Sequence, residues 1–138
     1  MKIETVKLQD QKEIVLLEHW SGKDFDLDMP GWQYPGSLAV EAKVKRDAAI
    51  VEAQVQVKAQ TCLICSRCHK EFSKNLDQDF RFIYPYDLSQ KVLCLDEDIR
   101  SELILAAPQK ILCSEVCKGL CSRCGADLNE EKCHCKVA

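Results

Sequence analysis

Eight cysteines in four close pairs set the chemistry open to this chain: Cys65/Cys68, Cys113/Cys117, Cys121/Cys124 and Cys133/Cys135. Six of the ten cysteines lie in the last 26 of 138 residues. Thiolates are nucleophiles and metal ligands, and eight of them complete two tetrahedral zinc shells with Zn–S bonds of about 2.3 Å. A shell filled by four cysteines leaves no position for water or substrate. Two zinc ions acting as structural staples are therefore the expected cofactors. Sites of four cysteines also hold iron–sulfur clusters, but these pairs have ribbon-like rather than ferredoxin-like spacing. A redox Cys-x-x-Cys needs one pair at a helix start with a low-pKa thiol, and eight paired thiols fit that poorly.

Spacing suggests how the ligands divide. Cys121-x-x-Cys124-Gly125 has the form of a zinc knuckle, with glycine allowing the tight turn. Cys133-x-Cys135 follows after eight residues, close enough to complete a local site. Cys65/Cys68 and Cys113/Cys117 would then share the second ion across the 44 residues between Cys68 and Cys113, a long loop whose closure restrains the unfolded chain. The rival division joins Cys113, Cys117, Cys121 and Cys124, leaving Cys65/Cys68 to Cys133/Cys135. Cys62 and Cys94 pair with nothing by spacing and are expected as buried apolar thiols, with Cys62 a possible substitute ligand. His69 and His134 flank the knuckles and are expected as bystanders, since four sulfurs are available per site.

The elements that must position these ligands can be read from periodicity. Lys2–Leu8 and Glu13–Trp20 suggest two strands. Residues 24–36, with two prolines and two glycines, read as a loop. Its Trp32 and Tyr34 are expected to anchor the loop rather than stack on RNA bases. Leu38, Val40, Ala42 and Val44, then Val51, Ala53, Val55, Val57 and Ala59, alternate with polar residues, the pattern of a hairpin with one wet face. The second strand runs into Cys62–Cys65, so the first knuckle caps a strand end. A strand returns over Phe72–Tyr84 with Leu76, Phe80, Phe82 and Tyr84 on one face. Asp96 can cap a helix over 96–107, carrying an Ile99, Leu103, Ala106 stripe and stopped by Pro108. The expected fold is α+β: an antiparallel sheet that could close into a barrel, one main helix and a C-terminal zinc-ribbon-like tail. One β-rich domain over 1–112 would hold the helix and first knuckle, with the cysteine-rich tail 113–138 packed on it.

Charge limits the partners. The formal net charge is −3, and two zinc ions with four thiolates each would make it −7, against global attraction to nucleic acid. Residues 37–74 are locally basic, seven cations to four anions. Candidate RNA or partner contacts are Arg67, Lys70, Lys118 and Arg123 at the knuckles, with Lys43, Lys45 and Lys58 on the wet strand face. Acidic stretches (Asp24, Asp26, Asp28 and Asp77, Asp79, Asp87) would suit a protein adaptor instead. There is no signal-peptide pattern at the N-terminus and no apolar run of about 18 residues, so no membrane contact is expected. Closely spaced cysteines in a reducing compartment mean metal more often than disulfides. No Ser-His-Asp order, glycine-rich phosphate loop or open His-rich metal site is evident. No catalytic residue or small-molecule substrate is therefore assigned.

Over roughly residues 37–135 the chain resembles the YceD family of large ribosomal RNA subunit accumulation proteins. The resemblance rests on Cys65-Ser66-Arg67-Cys68 after a β-rich half, Asp96-Glu97-Asp98-Ile99, Glu102 to Pro108, Leu112-Cys113, the block Cys117-Lys118-Gly119-Leu120-Cys121-x-x-Cys124-Gly125-Ala126-Asp127-Leu128-Asn129, and Cys133-x-Cys135. It implies a non-enzymatic role in ribosome biogenesis, supporting accumulation or processing of large-subunit ribosomal RNA, with that RNA, a pre-ribosomal particle or a processing factor as partner. It places such proteins in bacteria and in plastids, and with no transit-peptide pattern visible here the bacterial cytoplasm is the expected location.

Overall fold

The structure is a computed structural model that describes residues 1–10, 12–108, 110–133 and 135. The chain runs β1 (Lys2–Glu4), α1 (Lys7–Asp10), β2 (Glu13–Ser21), β3 (Trp32–Gln33), β4 (Ser37–Asp47), β5 (Ile50–Ile64), β6 (Glu71–Pro85), β7 (Val92–Cys94), α2 (Asp96–Ala106). β2, β4, β5 and β6 pair antiparallel in that spatial order, and β3 adds to the far end of β5. β1 and β7 form a separate two-stranded ladder. The sheet does not close into a barrel, because β2 and β6 are both left without a second strand partner among the described residues.

Period-two alternation does what the sequence predicts. Leu38, Val40, Ala42 and Val44 meet Val51, Ala53, Val55 and Val57 on one fully buried face. β6 follows with half-buried Phe80, Phe82 and Tyr84 in a tilted row, successive ring centroids 6.3 Å apart. Trp20 stacks on Phe25 at 3.9 Å. Trp32 and Tyr34 are 6% and 7% exposed, so they anchor the 24–36 segment as expected.

Several expectations are corrected. Lys2–Leu8 is not one strand: β1 ends at Glu4, and a turn leads into α1. The predicted cap residue Asp96 is the first residue of α2. Leu95 takes the N-cap position without a side-chain cap bond, and Asp96 pairs with the N-terminal ammonium of Met1 instead. The helix ends at Ala106, with Ala107 extended at ψ 126°, the conformation that a following proline imposes. Ile99 and Leu103 are buried as the stripe requires, but Ala106 sits exposed in the last turn. Cys62 and Cys94 are not buried. Each occupies the solvent parity of its strand, beside inward Leu63 and Leu93, and Cys62 donates to the Glu71 carboxylate at 2.7 Å.

Candidate metal centres

β5 and β6 are joined by Cys65–Cys68, so the longest hairpin in the sheet presents its turn as a ligand pair. The turn is closed by Cys65 N–H to Lys70 O at 2.9 Å and His69 N–H to Cys65 O at 3.0 Å. The segment after α2 is laid against it. Ser66 donates to Ile111 O through both its backbone N–H (2.7 Å) and its hydroxyl (2.8 Å). Arg67 Nη1 donates to Cys117 O at 2.9 Å. These bonds bring Cys65, Cys68, Cys113 and Cys117 together, with all four sulfurs within 4.8 Å of one another.

The second group is local, as spacing suggests. Cys121 N–H donates to Ala126 O at 2.8 Å and Gly125 N–H to Cys121 O at 2.9 Å. Gly125 takes φ +75°, the left-handed conformation that favours glycine. His69 holds the equivalent place in the first knuckle at φ +58°. Neither ring nitrogen of His69 joins the four-sulfur group, as expected of a bystander. His134 lies outside the described residues. Cys121, Cys124, Cys133 and Cys135 form the second group, again within 4.8 Å. The rival division through Cys113, Cys117, Cys121 and Cys124 is therefore set aside.

Geometry and donor chemistry fit a tetrahedral cation. Four sulfurs at about 2.3 Å from one centre lie ~3.8 Å apart. In the first group Cys65–Cys117 and Cys68–Cys113 are 3.7 and 3.6 Å apart. In the second the spread is wider, 3.2 Å for Cys121–Cys133, 3.7 Å for Cys124–Cys133 and 4.0 Å for Cys121–Cys135. The electrostatics point the same way. Burial raises the Cys65 thiol, but N–H donors from Cys68, Cys113 and Arg67 outweigh it and bring it down to about 6. Backbone donors at Cys124 and Arg123 lower Cys121 to about 6. Contact with Cys68 pushes Cys113 up to about 12, and contact with Cys133 does the same to Cys135. Within each group the thiols are split: Cys65, Cys117 and Cys121 are lowered while Cys68, Cys113, Cys133 and Cys135 are raised, as crowded thiols must be until a cation neutralises them.

The two groups differ in enclosure. Cys65, Cys68 and Cys117 are buried against Phe72, Leu112 and Leu120, whereas no ligand of the second group is buried. They are also physically joined: Leu120 N–H donates to Arg67 O at 3.3 Å and Leu128 N–H to Gly119 O at 3.0 Å. Asn129, a residue with no assigned role in the sequence, donates to Cys117 Sγ and accepts from Lys118 N–H.

Residues 88–138 match the YceD family model, described as large ribosomal RNA subunit accumulation protein. That YceD stretch is narrower than the resemblance over 37–135, and it contains six of the eight ligands but not Cys65 or Cys68. No curated protein and no solved structure matches the chain. No helix among the described residues is long and apolar enough to cross a membrane.

The seven basic candidates separate in space. Lys43, Lys45 and Lys58 stand on the solvent face of β4 and β5, interleaved with acids, and Lys45 pairs with Glu13 at 3.6 Å. Arg67 is committed to the Cys117 carbonyl, Lys70 to Glu130 at 2.5 Å. Lys118 is exposed beside the first group, and Arg123 lies in the second knuckle. Sequence reading missed a cleft of about 570 Å³ between β6 and the connection into Cys113, floored by Trp32 and Leu63 and flanked by Lys74, Lys110, Asp77 and Glu115. Only the fold brings those segments face to face.

Proposed function

We propose that this chain is a non-enzymatic, zinc-stabilised ribosome-biogenesis factor of the bacterial cytoplasm that supports large-subunit ribosomal RNA accumulation or processing. The YceD match over the cysteine-rich stretch carries the reading. Two closed four-sulfur groups support it, since neither offers an open coordination position for catalysis. Zinc suits the donor set, and each ion would hold segments together rather than transform a substrate.

Contact with RNA would fall to Lys43 and Lys58 on the sheet face and to Lys118 at the first metal group. Arg67 is a poor probe of that contact, because replacing it breaks the bond to the Cys117 carbonyl. The test is binding of the zinc-loaded protein to large-subunit ribosomal RNA fragments at roughly 50 and 200 mM salt. Affinity should fall with salt, and Lys43→Glu with Lys58→Glu should reduce both affinity and salt slope. Absence of binding at low salt removes direct RNA contact.

A second reading, a protein adaptor without RNA contact, gains from the internal commitment of Arg67 and Lys70 and from the negative net charge. Partners retained on the immobilised protein after nuclease treatment of a lysate would favour it. Partners lost with the nuclease would favour RNA.

A further inference from the structure

The open sheet has two long edges, and they are built differently. β6 exposes Lys74, Asp77, Asp79 and Arg81 and ends at Pro85, the charges and proline that discourage a further strand. β2 carries Ile14-Val15-Leu16-Leu17 in its first half. Val15 and Leu17 point to solvent from the outer face at 55% and 64% exposure. Ile14 and Leu16 are half-buried on the inner face, beside a cleft of about 320 Å³ that Ile3 and Val92 also line. A strand apolar on both faces reads as an interior strand, yet β2 stands at an edge. Residues 13–20 make no backbone hydrogen bond beyond β4 among the described residues.

We propose that β2 is a self-association edge, on which a second copy of this chain pairs its own β2 antiparallel about a twofold axis at Leu16. In that register Leu16 faces Leu16, and Val15 faces Leu17 of the second copy on the solvent side. Glu13 then lies opposite His19 of the second copy, twice by symmetry, so the ends of the contact are complementary as well as its apolar middle. Ile14 meets Glu18 of the second copy, whose carboxylate is already held by Trp20 Nε1 at 3.0 Å. The two four-strand halves become one continuous sheet with β2 at its centre. Its outermost strands are then the two charged β6 edges. The self-complementarity of the register singles out a second copy over a strand from another protein.

Sedimentation equilibrium of the zinc-loaded full chain, under reducing conditions to exclude disulfide dimers, tests this. A reversible dimer of twice the chain mass is expected. Leu17→Glu, at an exposed position, should weaken it at least ~tenfold while leaving the melting temperature of the monomer in place. Glu13→Lys should weaken it by setting cation against imidazole, and Glu13→Lys with His19→Glu should restore it, which requires the twofold register. A chain that stays monomeric up to about 1 mM overturns the proposal. So does a dimer indifferent to Leu17→Glu.

Discussion

The side-chain N–H of Asn129, in the loop that closes the second cysteine group, donates to the Sγ of Cys117 in the first at 3.4 Å. Its carbonyl oxygen accepts the Lys118 N–H at 2.8 Å, and Asp127 Oδ1 steadies the amide at 3.0 Å. This bond is the largest influence lowering the Cys117 thiol. One loop thus carries cysteines of one group and orients a sulfur of the other, as residues just outside a coordination shell do.

Asn129→Ala should weaken metal at the first group by roughly 10–100-fold, read by competition with a chromophoric chelator. Asn129→Asp, which sets a carboxylate beside the thiolates, should weaken it further. Unchanged affinity in both would mean the amide does nothing for the metal.

Enclosure sets the order of metal loss. The second group, with no buried ligand, should give up its ion first to a chelator. The first, walled by Phe72, Leu112 and Leu120, should follow in a slower phase. Cys124→Ser should abolish the fast phase alone. Release of both ions in one phase would contradict the difference in burial.

Gly119 sits at φ +79°, and a Cβ there would lie 3.3 Å from both Arg67 Cβ and Arg67 O. Gly119→Ala should cost about 1–2 kcal/mol from the left-handed backbone alone, and crowding of Arg67 adds to it. Thermal melting of the zinc-loaded protein measures this, and an unchanged melting temperature would refute the close approach.

α2 is held by Ile99 and Leu103, while Leu105 is 77% exposed. Ile99→Ala should cost about 2–5 kcal/mol, and Leu105→Ala should stay within about 0.5 kcal/mol. Equal losses in urea unfolding would mean the helix docks by a different face.

The eight clustered cysteines were legible because they fall in close pairs, a local property, and the β4–β5 hairpin because one buried face forces period two on eleven- and fifteen-residue strands. Three-residue β1 and β7 carry no such signal, since each exists by pairing with the other across some ninety residues of chain. Open or closed sheet edges were equally illegible, because strand order depends on contacts that alternation does not encode. The internal partner of Arg67 was hidden for a related reason. A guanidinium beside a knuckle reads as a phosphate contact until the fold brings the Cys117 carbonyl to it from fifty residues away. Cys62 and Cys94 illustrate strand parity: thiols favour burial, but each falls on the solvent side of a strand whose inward positions are filled by leucine.

Native mass spectrometry of the purified protein, giving metal identity and ions per chain before and after mild chelation, tests the two-centre arrangement most directly. Two zinc ions per chain are expected, falling to one as the second group empties and to none only as the sheet-to-tail clamp at Cys65, Cys68, Cys113 and Cys117 opens. One ion, iron in place of zinc, or a chain that loses all metal with its melting curve unmoved would contradict it.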